Sequence, residues 1–356
     1  MKPSLFYYWN NIIFILITFA GCFSNKEQNR GIDIENHKKK EVVIFVYHRF
    51  GNDIYPSTNI SISNFENHLN YLKKNNFTVL NFGDAVDYIN NPEIPFMEKV
   101  ACITVDDGYK TFKSHAMPLL RKFGFKATLF INSESVGGGS YMDWGEIKEV
   151  YKQGIEIGNH SHSHAYFLNI SKNQRLNEFK KDLQICQEEI HEHLGFYPNI
   201  FAYPYGEFDL EMKASLKDLG FNAAVAQNSG VMYLHDNYSI PRFPMAGPYV
   251  DIDGFIEKAN MKALRIISKN PESFVLKGHN PPKLTVEFDT IGVDLPRYTC
   301  FINGECETTL QGNSMTIQSK TELGTRRELY KITAPSKDGK SWHWYSHVWI
   351  QPGIKE

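Results

Sequence analysis

The sequence lacks an excess of charge of either sign. It carries 38 Lys and Arg residues against 40 Asp and Glu residues, and its formal net charge is −2. A protein that binds nucleic acid usually has a strongly basic face, so this balance gives no support for a nucleic-acid partner. A neutral polymer such as a glycan fits the balance better. The aromatic content of 14% would suit stacking on sugars, although most of these side chains are expected in the core.

The chain also lacks a long apolar run near its N-terminus. Residues 12–20 are apolar, but the run is too short to span a bilayer as a stable helix, and after Lys2 it is typical of a signal-peptide core. It ends at Phe19-Ala20-Gly21-Cys22, which resembles a bacterial lipoprotein cleavage site, although Phe19 stands where Leu is usual. An uncleaved anchor and a plain secretory signal are the alternatives.

Cleavage before Cys22 would leave a lipid-modified cysteine, and two or three acyl chains hold a protein durably on a membrane. Residues 23–41 are polar, without apolar periodicity, and predict a flexible tether. We therefore predict a lipoprotein-type signal peptide over residues 1–22, lipidation at Cys22, and a place in the cell envelope. The protein would be anchored to a bacterial membrane and face the periplasm or the exterior.

Cysteine is scarce, with five residues in the chain. Cys102 lies in a predicted strand and Cys186 in a predicted helix, so both are expected to be small buried side chains. Cys300 and Cys306 flank an Asn303-Gly304 turn and could bridge a hairpin in an exported protein. The sequence leaves open whether their geometry permits a disulfide.

The 356 residues, 42% of them hydrophobic, can bury a sizeable core and favour two domains. Over residues 42–282, short apolar runs alternate with longer amphipathic ones. Strands are predicted at 42–47, 78–81, 100–105, 127–131, 155–158, 200–203, 223–226 and 274–277, and helices at 63–74, 110–123, 143–153, 171–193, 210–219 and 252–268. The alternation predicts an α/β fold, either a parallel βα barrel or a doubly wound sheet, with catalytic residues at the carboxyl ends of strands.

Residues 283–356 have a different pattern. Strand-like alternation at 284–288, 298–302, 315–319, 328–333 and 342–350, without a helical period, predicts a small all-β sandwich. In the last strand, Trp342 and Trp344 share one face, and Tyr345 and Trp349 share the other. We expect one face in the core and the other against the barrel, with sugar binding as the alternative.

Two short stretches form a candidate metal site. Asp106 and Asp107 directly follow the apolar run 100–105, and His160 and His164 follow a second strand-like run. One aspartate oxygen and two imidazole nitrogens can hold a Zn²⁺-like ion on one face, leaving positions open for water and substrate. The other aspartate is then free to act as a base, which indicates a metal-assisted hydrolase. A structural zinc site and an inactive sugar-binding protein are the alternatives, but structural zinc usually takes four protein ligands.

The same stretches carry a family resemblance. Thr104-Val105-Asp106-Asp107-Gly108-Tyr109 resembles the T-[FV]-D-D-G-Y motif, and His160-Ser161-His162-Ser163-His164 the H-[ST]-x-x-H motif, of polysaccharide deacetylases (the NodB-homology domain, carbohydrate esterase family 4). Family-like pieces at residues 47–50, 201–206 and 276–279 follow in the expected order, and together the motifs cover roughly residues 42–282. The pieces at 47–48 and 201–206 are most similar to the subgroup that de-N-acetylates exported poly-N-acetylglucosamine. The resemblance implies a distorted (β/α)7-type barrel.

The resemblance also implies a ligand set. Asp107, His160 and His164 would hold a divalent metal, with Zn²⁺ expected and Co²⁺ or Ni²⁺ as alternatives. We interpret His162 as a neighbour of the site, and Ser161 as a residue that orients the loop through a hydrogen bond.

The catalytic roles are likewise implied by the resemblance. Asp106 would be the general base and His279 the general acid that protonates the leaving amine. Tyr205 matches the position whose backbone N–H helps to hold the tetrahedral oxyanion, and Pro204 before it fixes the local φ.

One position departs from the family pattern. The third motif commonly has an Arg two residues before its Pro, placed to pair with the base, and Ala202 stands there in this chain. We hypothesise that Arg242, after a later strand, supplies that charge and tunes the pKa of Asp106. The poly-N-acetylglucosamine subgroup also tends to lack the motif's Arg. His48 is open to two interpretations, as a residue near the site or as a packing residue.

Taken together, the residue patterns and the resemblance predict a lipid-anchored enzyme that removes N-acetyl groups from a β-linked N-acetylglucosamine polymer. The sequence leaves open whether polysaccharide synthesis and export machinery is its partner. Peptidoglycan or chitin-type substrates are the alternative within the family. A metal-dependent carbohydrate-binding lipoprotein without turnover is the alternative from another class.

Overall fold

The structure, a computed structural model, describes residue 37 and residues 39–355. The predicted signal peptide, Cys22 and most of the predicted tether lie outside these residues. Within the described part of the chain, none of the helices combines the length and the apolar character that a membrane span requires.

The described elements follow one another with strands and helices alternating in the first two thirds of the chain. The strands are β1 (Glu41–Tyr47), β2 (Arg49–Phe50), β3 (Asn59–Ile60), β4 (Thr78–Leu80), β5 (Val100–Val105), β6 (Thr128–Ile131), β7 (Glu156–Asn159), β8 (Ile200–Ala202), β9 (Ala223–Val225), β10 (Val231–Tyr233), β11 (Phe243–Pro244), β12 (Lys262–Ala263), β13 (Ile266–Asn270), β14 (Lys283–Phe288), β15 (Thr299–Phe301), β16 (Cys306–Gln311), β17 (Ser314–Ser319), β18 (Arg327–Pro335) and β19 (Trp342–Ile350). The α-helices are α1 (Ile62–Lys74), α2 (Phe82–Asn90), α3 (Met117–Phe123), α4 (Trp144–Lys152), α5 (Lys172–Leu194), α6 (Leu210–Asp218) and α7 (Ile252–Ala259).

A nine-stranded curled sheet with the order β10-β1-β5-β6-β7-β8-β9 forms the first unit, with β11 beside β1 and β4 beside β5. Neighbouring strands from β1 through β9 run parallel, and β10 is antiparallel to β1. All six residues of β5 are buried, as expected for a strand covered on both faces. The predicted α/β class is confirmed, and the sheet is a curled half-barrel with helices packed on it.

Local sequence signals explain where several helices begin and end. Helix α4 starts with a capping box, in which the Asp143 side chain accepts from the Glu146 N–H and the Glu146 side chain accepts from the Asp143 N–H. Helix α3 ends at Gly124, whose φ of +69° favours glycine. Helix α2 was not predicted, although Asn81 caps its first turn.

The second unit packs two four-stranded sheets, β12-β19-β18-β15 and β13-β14-β17-β16, around an apolar core. The sandwich therefore takes β12 and β13 from before residue 283. The predicted helix at 252–268 is wrong beyond Ala259, because β12 pairs with β19 and β13 pairs with β14. The predicted strand at 274–277 is also wrong: it makes a single bridge, Val275 to Ile350.

The last strand joins the two units. The Trp344 indole N–H donates to Ser229 in the first unit, and its ring packs edge-on against Phe243 at 5.4 Å between centroids. On the opposite face of β19, Trp349 packs into the core of the sandwich. The expected division of this strand into a core face and a face against the barrel is confirmed.

Candidate active site

Parallel pairing brings the two predicted motifs together. Asp106 follows β5 and His160 follows β7, and both strands pair with β6 between them. The Asp106 N–H donates to the Tyr47 carbonyl at 2.9 Å, and the His160 N–H donates to the Ile131 carbonyl at 2.9 Å. Both side chains therefore lie at the carboxyl edge of the sheet, where the fold class predicts catalytic residues.

Asp107, His160 and His164 form a candidate metal centre. One ligand atom from each lies within 4.8 Å of the others. Asp107 Oδ1 lies 3.5 Å from each imidazole Nε2, and the two Nε2 atoms are 3.2 Å apart. Ligands bound to one zinc at about 2.1 Å with tetrahedral angles lie roughly 3.4 Å from one another, so these spacings suit a shared divalent ion. The structure thus brings the three predicted ligands together.

The backbone around these ligands is unusual. Asp107, Ser161 and His164 have φ values of +74°, +68° and +51°, a region that non-glycine residues rarely occupy. Such strain persists only where surrounding contacts hold it, and it concentrates at functional sites. The Ser161 hydroxyl accepts from the His164 N–H at 3.0 Å, which is the loop-orienting hydrogen bond that the sequence predicted. His162 faces Ser133 and Glu189 instead, away from the ligand set.

The pKa values of Asp107 and His164 favour the forms that bind a metal. For His160, burial would lower the pKa, but Asp106 and Asp107 outweigh it and raise it. His160 Nδ1 lies 2.8 Å from the Ala202 carbonyl oxygen, which can only accept, so Nδ1 carries the hydrogen and Nε2 presents a lone pair when the ring is neutral. Burial and the neighbouring His160 lower the pKa of His164 to about 4, which leaves this ring neutral near pH 7. Burial alone would raise the pKa of Asp107, but the surrounding histidines outweigh it and lower that pKa.

Asp106 is fully buried and held by Arg242. Arg242 donates from Nη1 to Asp106 Oδ1 and from Nη2 to Oδ2, both at 2.8 Å, and from Nη1 to the Thr104 hydroxyl at 3.1 Å. Burial alone would raise the pKa of Asp106, but Arg242 and His160 outweigh it and leave that pKa below its ordinary value. The contact between Arg242 and Asp106 thus agrees with the hypothesis that Arg242 supplies the positive charge that is missing at Ala202.

Tyr205 also reaches the site. It follows β8 and Pro204 in a short turn, with φ +58°, and its ring packs edge-on against His164 at 4.5 Å between centroids. Tyr166 stacks on its ring at 3.7 Å. An open cleft of about 530 Å³ passes over Asp107, His164 and Tyr205.

His279, the predicted general acid, is not brought to the site. It lies in an exposed turn of the described chain and is not among the side chains that line the cleft. The next residue, Asn280, donates to the Leu323 carbonyl of the sandwich at 3.0 Å. The prediction came from the short motif match at residues 276–279, placed after a predicted strand at 274–277, and this segment instead follows the sandwich.

His48 occupies the cleft instead. It follows β1, lines the cleft, and has a buried Nδ1 without a hydrogen-bond partner among the described residues. Electrostatic interaction with His48 is one of the smaller contributions that lower the pKa of Asp106, and it also helps to lower the pKa of Asp107. The signal in the sequence was its position after the first strand, the same kind of position that identified Asp106.

Comparison with known proteins agrees with this geometry. Residues 93–224 match the polysaccharide deacetylase family. The putative polysaccharide deacetylase YxkH of Bacillus subtilis (strain 168) is 26% identical over 205 residues, covering 58% of this chain and 71% of that protein. The poly-beta-1,6-N-acetyl-D-glucosamine N-deacetylase of Staphylococcus aureus (strain N315) is 24% identical over 254 residues, covering 65% and 86%.

Solved structures show the same fold. IcaB from Ammonifex degensii aligns with a TM-score of 0.53 and 26% identity, over 62% of this chain and 95% of that one. The deacetylase PplD from Streptococcus pyogenes, in complex with acetate, aligns with a TM-score of 0.56 and 18% identity, over 62% and 99%. The chain therefore carries a polysaccharide deacetylase domain of the NodB-homology type, as its motifs predicted. The matching relatives support deacetylase hydrolase activity for this domain.

Proposed function

We propose that the protein is a metal-dependent N-deacetylase of a β-linked N-acetylglucosamine polymer, with exported poly-β-1,6-N-acetylglucosamine as the favoured substrate. The observation that carries the proposal is the pairing of a three-ligand set with a separate buried carboxylate, Asp106, that an arginine holds ionised. A structural metal site needs no such spare base. Asp107, His160 and His164 would hold the ion, with Zn²⁺ expected and Co²⁺ or Ni²⁺ as alternatives.

The residues divide the reaction between them. A bound divalent ion would lower the pKa of water and polarise the acetyl carbonyl. Asp106 accepts a proton from the attacking water as that water adds to the carbonyl carbon. The backbone N–H of Tyr205 stabilises the oxyanion, and Pro204 helps to fix the turn that presents it. Cleavage of the C–N bond releases acetate and an amine.

His48 is the residue we propose for protonation of the leaving amine, in the role predicted for His279. Its place in the cleft and its unpartnered buried Nδ1 support this assignment. A general acid has to lie within hydrogen-bonding reach of the leaving nitrogen, and His48 is on the cleft wall whereas His279 is exposed elsewhere.

The cleft suits a neutral sugar polymer. Three tyrosines line it: Tyr109 and Tyr141 stack on each other at 4.6 Å between centroids, and Tyr205 stacks at 3.7 Å on Tyr166, which is outside the lining. Aromatic faces of this kind stack on the apolar faces of sugar rings. The likeness to an enzyme named for poly-beta-1,6-N-acetyl-D-glucosamine supports the linkage. Peptidoglycan and chitin-type polymers are the alternative substrates.

The proposal also places the protein in the cell envelope. Lipidation at Cys22 would hold the catalytic domain on a bacterial membrane, where it would meet the polymer as synthesis and export machinery delivers it. Labelling with a fatty-acid analogue and membrane fractionation test this part, with Cys22→Ser as the variant. Unchanged labelling and partition in that variant would contradict it.

Acetate release by residues 23–356 tests the activity. We expect release from β-1,6-linked N-acetylglucosamine oligomers to exceed release from β-1,4-linked ones, to stop with chelator, and to return with Zn²⁺, Co²⁺ or Ni²⁺. Preference for the β-1,4 linkage would favour a cell-wall or chitin-type substrate. Metal binding without release from either would favour a carbohydrate-binding protein.

A further inference from the structure

Two adjacent arginines of the sandwich reach into the deacetylase domain. Arg326 precedes β18 and Arg327 begins it. Arg326 donates from Nε and Nη2 to the two carboxylate oxygens of Glu207 at 2.7 Å, and Arg327 donates from Nη1 to Glu207 Oε1 at 2.8 Å. The Arg326 and Glu207 side chains are 3% and 2% exposed. A buried two-pronged ion pair of this kind fixes the geometry of both partners.

Glu207 ends the turn that contains Tyr205. Tyr205 has φ +58°, which costs an L-residue free energy and needs support from its surroundings. Gly206 provides part of that support by close packing, since a Cβ there would lie 2.5 Å from the Gln227 nitrogen. Arg326 and Arg327 bind the carboxylate of Glu207, the residue after Gly206. The conformation of the turn therefore depends on contacts from both units.

A stack of side chains extends the same connection to the metal centre. The Arg326 guanidinium lies over the Tyr166 ring at 4.3 Å from its centroid. Tyr166 stacks on Tyr205 at 3.7 Å, and Tyr205 packs against His164 at 4.5 Å. Arg327 lies 5.7 Å from the centroid of Tyr205 and lines the cleft. The sandwich thus contributes one side chain, Arg327, to the lining of the cleft and contacts the turn on which the oxyanion role depends.

We propose that Arg326 and Arg327 are positioning residues for deacetylation, which act through Glu207 on the Tyr205 turn and make the sandwich a working part of the active site. This inference rests on the proposed function for its kinetic consequence. Its structural consequence, that the turn loosens when the arginines are changed, is independent of the substrate.

The chain offers a matched control. Arg265, which precedes β13, donates from Nη2 to Glu41 Oε1 at 2.9 Å and so also joins the two units. Glu41 begins β1, whereas His48 follows the other end of that strand. Arg265→Gln removes an ion pair between the units without touching the cleft. Arg326→Gln removes the ion pair between residue 326 and Glu207. Arg326→Lys keeps the positive charge but loses the bidentate hydrogen bonds to the carboxylate.

Amide hydrogen exchange of peptides covering residues 203–208 and steady-state kinetics on the preferred oligomer test the proposal together. We expect faster exchange of this segment and a kcat lower by roughly tenfold or more in Arg326→Gln, with KM within about threefold, because the turn acts on the transition state. Arg326→Lys should be intermediate, and Arg265→Gln should match the unaltered protein in both measurements. If Arg326→Gln does not fold, Arg326→Lys against Arg265→Gln decides the comparison.

Unchanged exchange at residues 203–208, or an equal fall in kcat in Arg265→Gln, would overturn the positioning role. If the unaltered protein releases no acetate, the proposed function fails, and exchange alone then decides the positioning role. Faster exchange in the Arg326 variants would still support it.

Discussion

The Arg242 guanidinium meets the Asp106 carboxylate through two hydrogen bonds of 2.8 Å, and both side chains are fully buried. The two residues are 136 positions apart in the chain. A charge removed from water in this way is stable only while its partner is present. The Asp106–Arg242 pair therefore affects both the stability of the domain and the ionisation of Asp106, the proposed base.

Arg242→Gln should destabilise the protein strongly. It leaves Asp106 without a counter-charge in a dry environment, and breaking a buried pair typically costs about 3–5 kcal/mol in free energy of unfolding. Chemical denaturation measures the loss. Arg121→Gln, at an exposed arginine that donates to Gln153, is the control and should change stability by less than about 1 kcal/mol. Similar values for the two variants would show that Asp106 does not depend on Arg242.

The general acid is tested by two histidine substitutions. We expect His48→Ala to lower kcat by roughly a hundredfold or more, because proton transfer to the leaving amine would be lost. His279→Ala, at an exposed position outside the cleft, should leave kcat within about twofold. The reverse result would restore the role first predicted for His279 and place His48 among the packing residues.

His68 should make the domain sensitive to acid. Burial lowers the pKa of His68 to about 4, against the opposing effects of the Val250 carbonyl and Asp251, and its ring stacks on Phe255 at 3.9 Å. Between about pH 6.5 and 4 the unfolded chain binds a proton at His68 that the folded chain does not, so stability falls as pH falls through this window. At pH 4 this difference in proton binding lowers the free energy of unfolding by about 3 kcal/mol relative to neutral pH.

Denaturation at a series of pH values measures this effect. His68→Gln should lose that share of the slope, while His191→Gln, at an exposed histidine of α5, should keep it. An identical pH dependence in His68→Gln and the unaltered protein would contradict the assignment.

Cys300 and Cys306 should form a disulfide under oxidising conditions. They are free thiols in the structure, and burial and the adjacent Cys306 thiol raise the pKa of Cys300. The Cys306 thiol acts on that of Cys300, and closing so short a loop would add about 2 kcal/mol of stability. Mass spectrometry and thermal melts with and without reductant check this. Cys300→Ser should abolish the response to reductant, and four titratable thiols in denatured residues 23–356 after oxidation would rule the bridge out.

The sequence predicted the parts of the site that depend on local signals. Asp106, Asp107, His160 and His164 each follow a strand with a clear apolar pattern, and parallel pairing brings such strand ends together. Arg242 was inferred from a missing charge at Ala202. In these cases the end of one strand, or the absence of a positive charge expected beside Asp106, was enough to identify the residue.

What the sequence did not predict depends on distant contacts. Glu207 and Arg326 are 119 positions apart, and no local pattern indicates that they meet. Helical periodicity continued past Ala259, but pairing of β12 and β13 with the sandwich overrode it. His279 was misplaced for the same reason, because its segment follows the sandwich and not the sheet.

The Asp106→Asn variant tests the proposed base. This variant keeps the size of the side chain and the three ligands but removes the carboxylate that takes the proton. We expect acetate release from β-1,6-linked N-acetylglucosamine oligomers to fall by roughly a hundredfold or more, while Zn²⁺ binding measured by calorimetry stays within about threefold of the unaltered protein. Loss of both in Asp107→Asn would complete the expected pattern. Acetate release that survives in Asp106→Asn, with its dependence on metal intact, would contradict Asp106 as the base and with it the proposed mechanism.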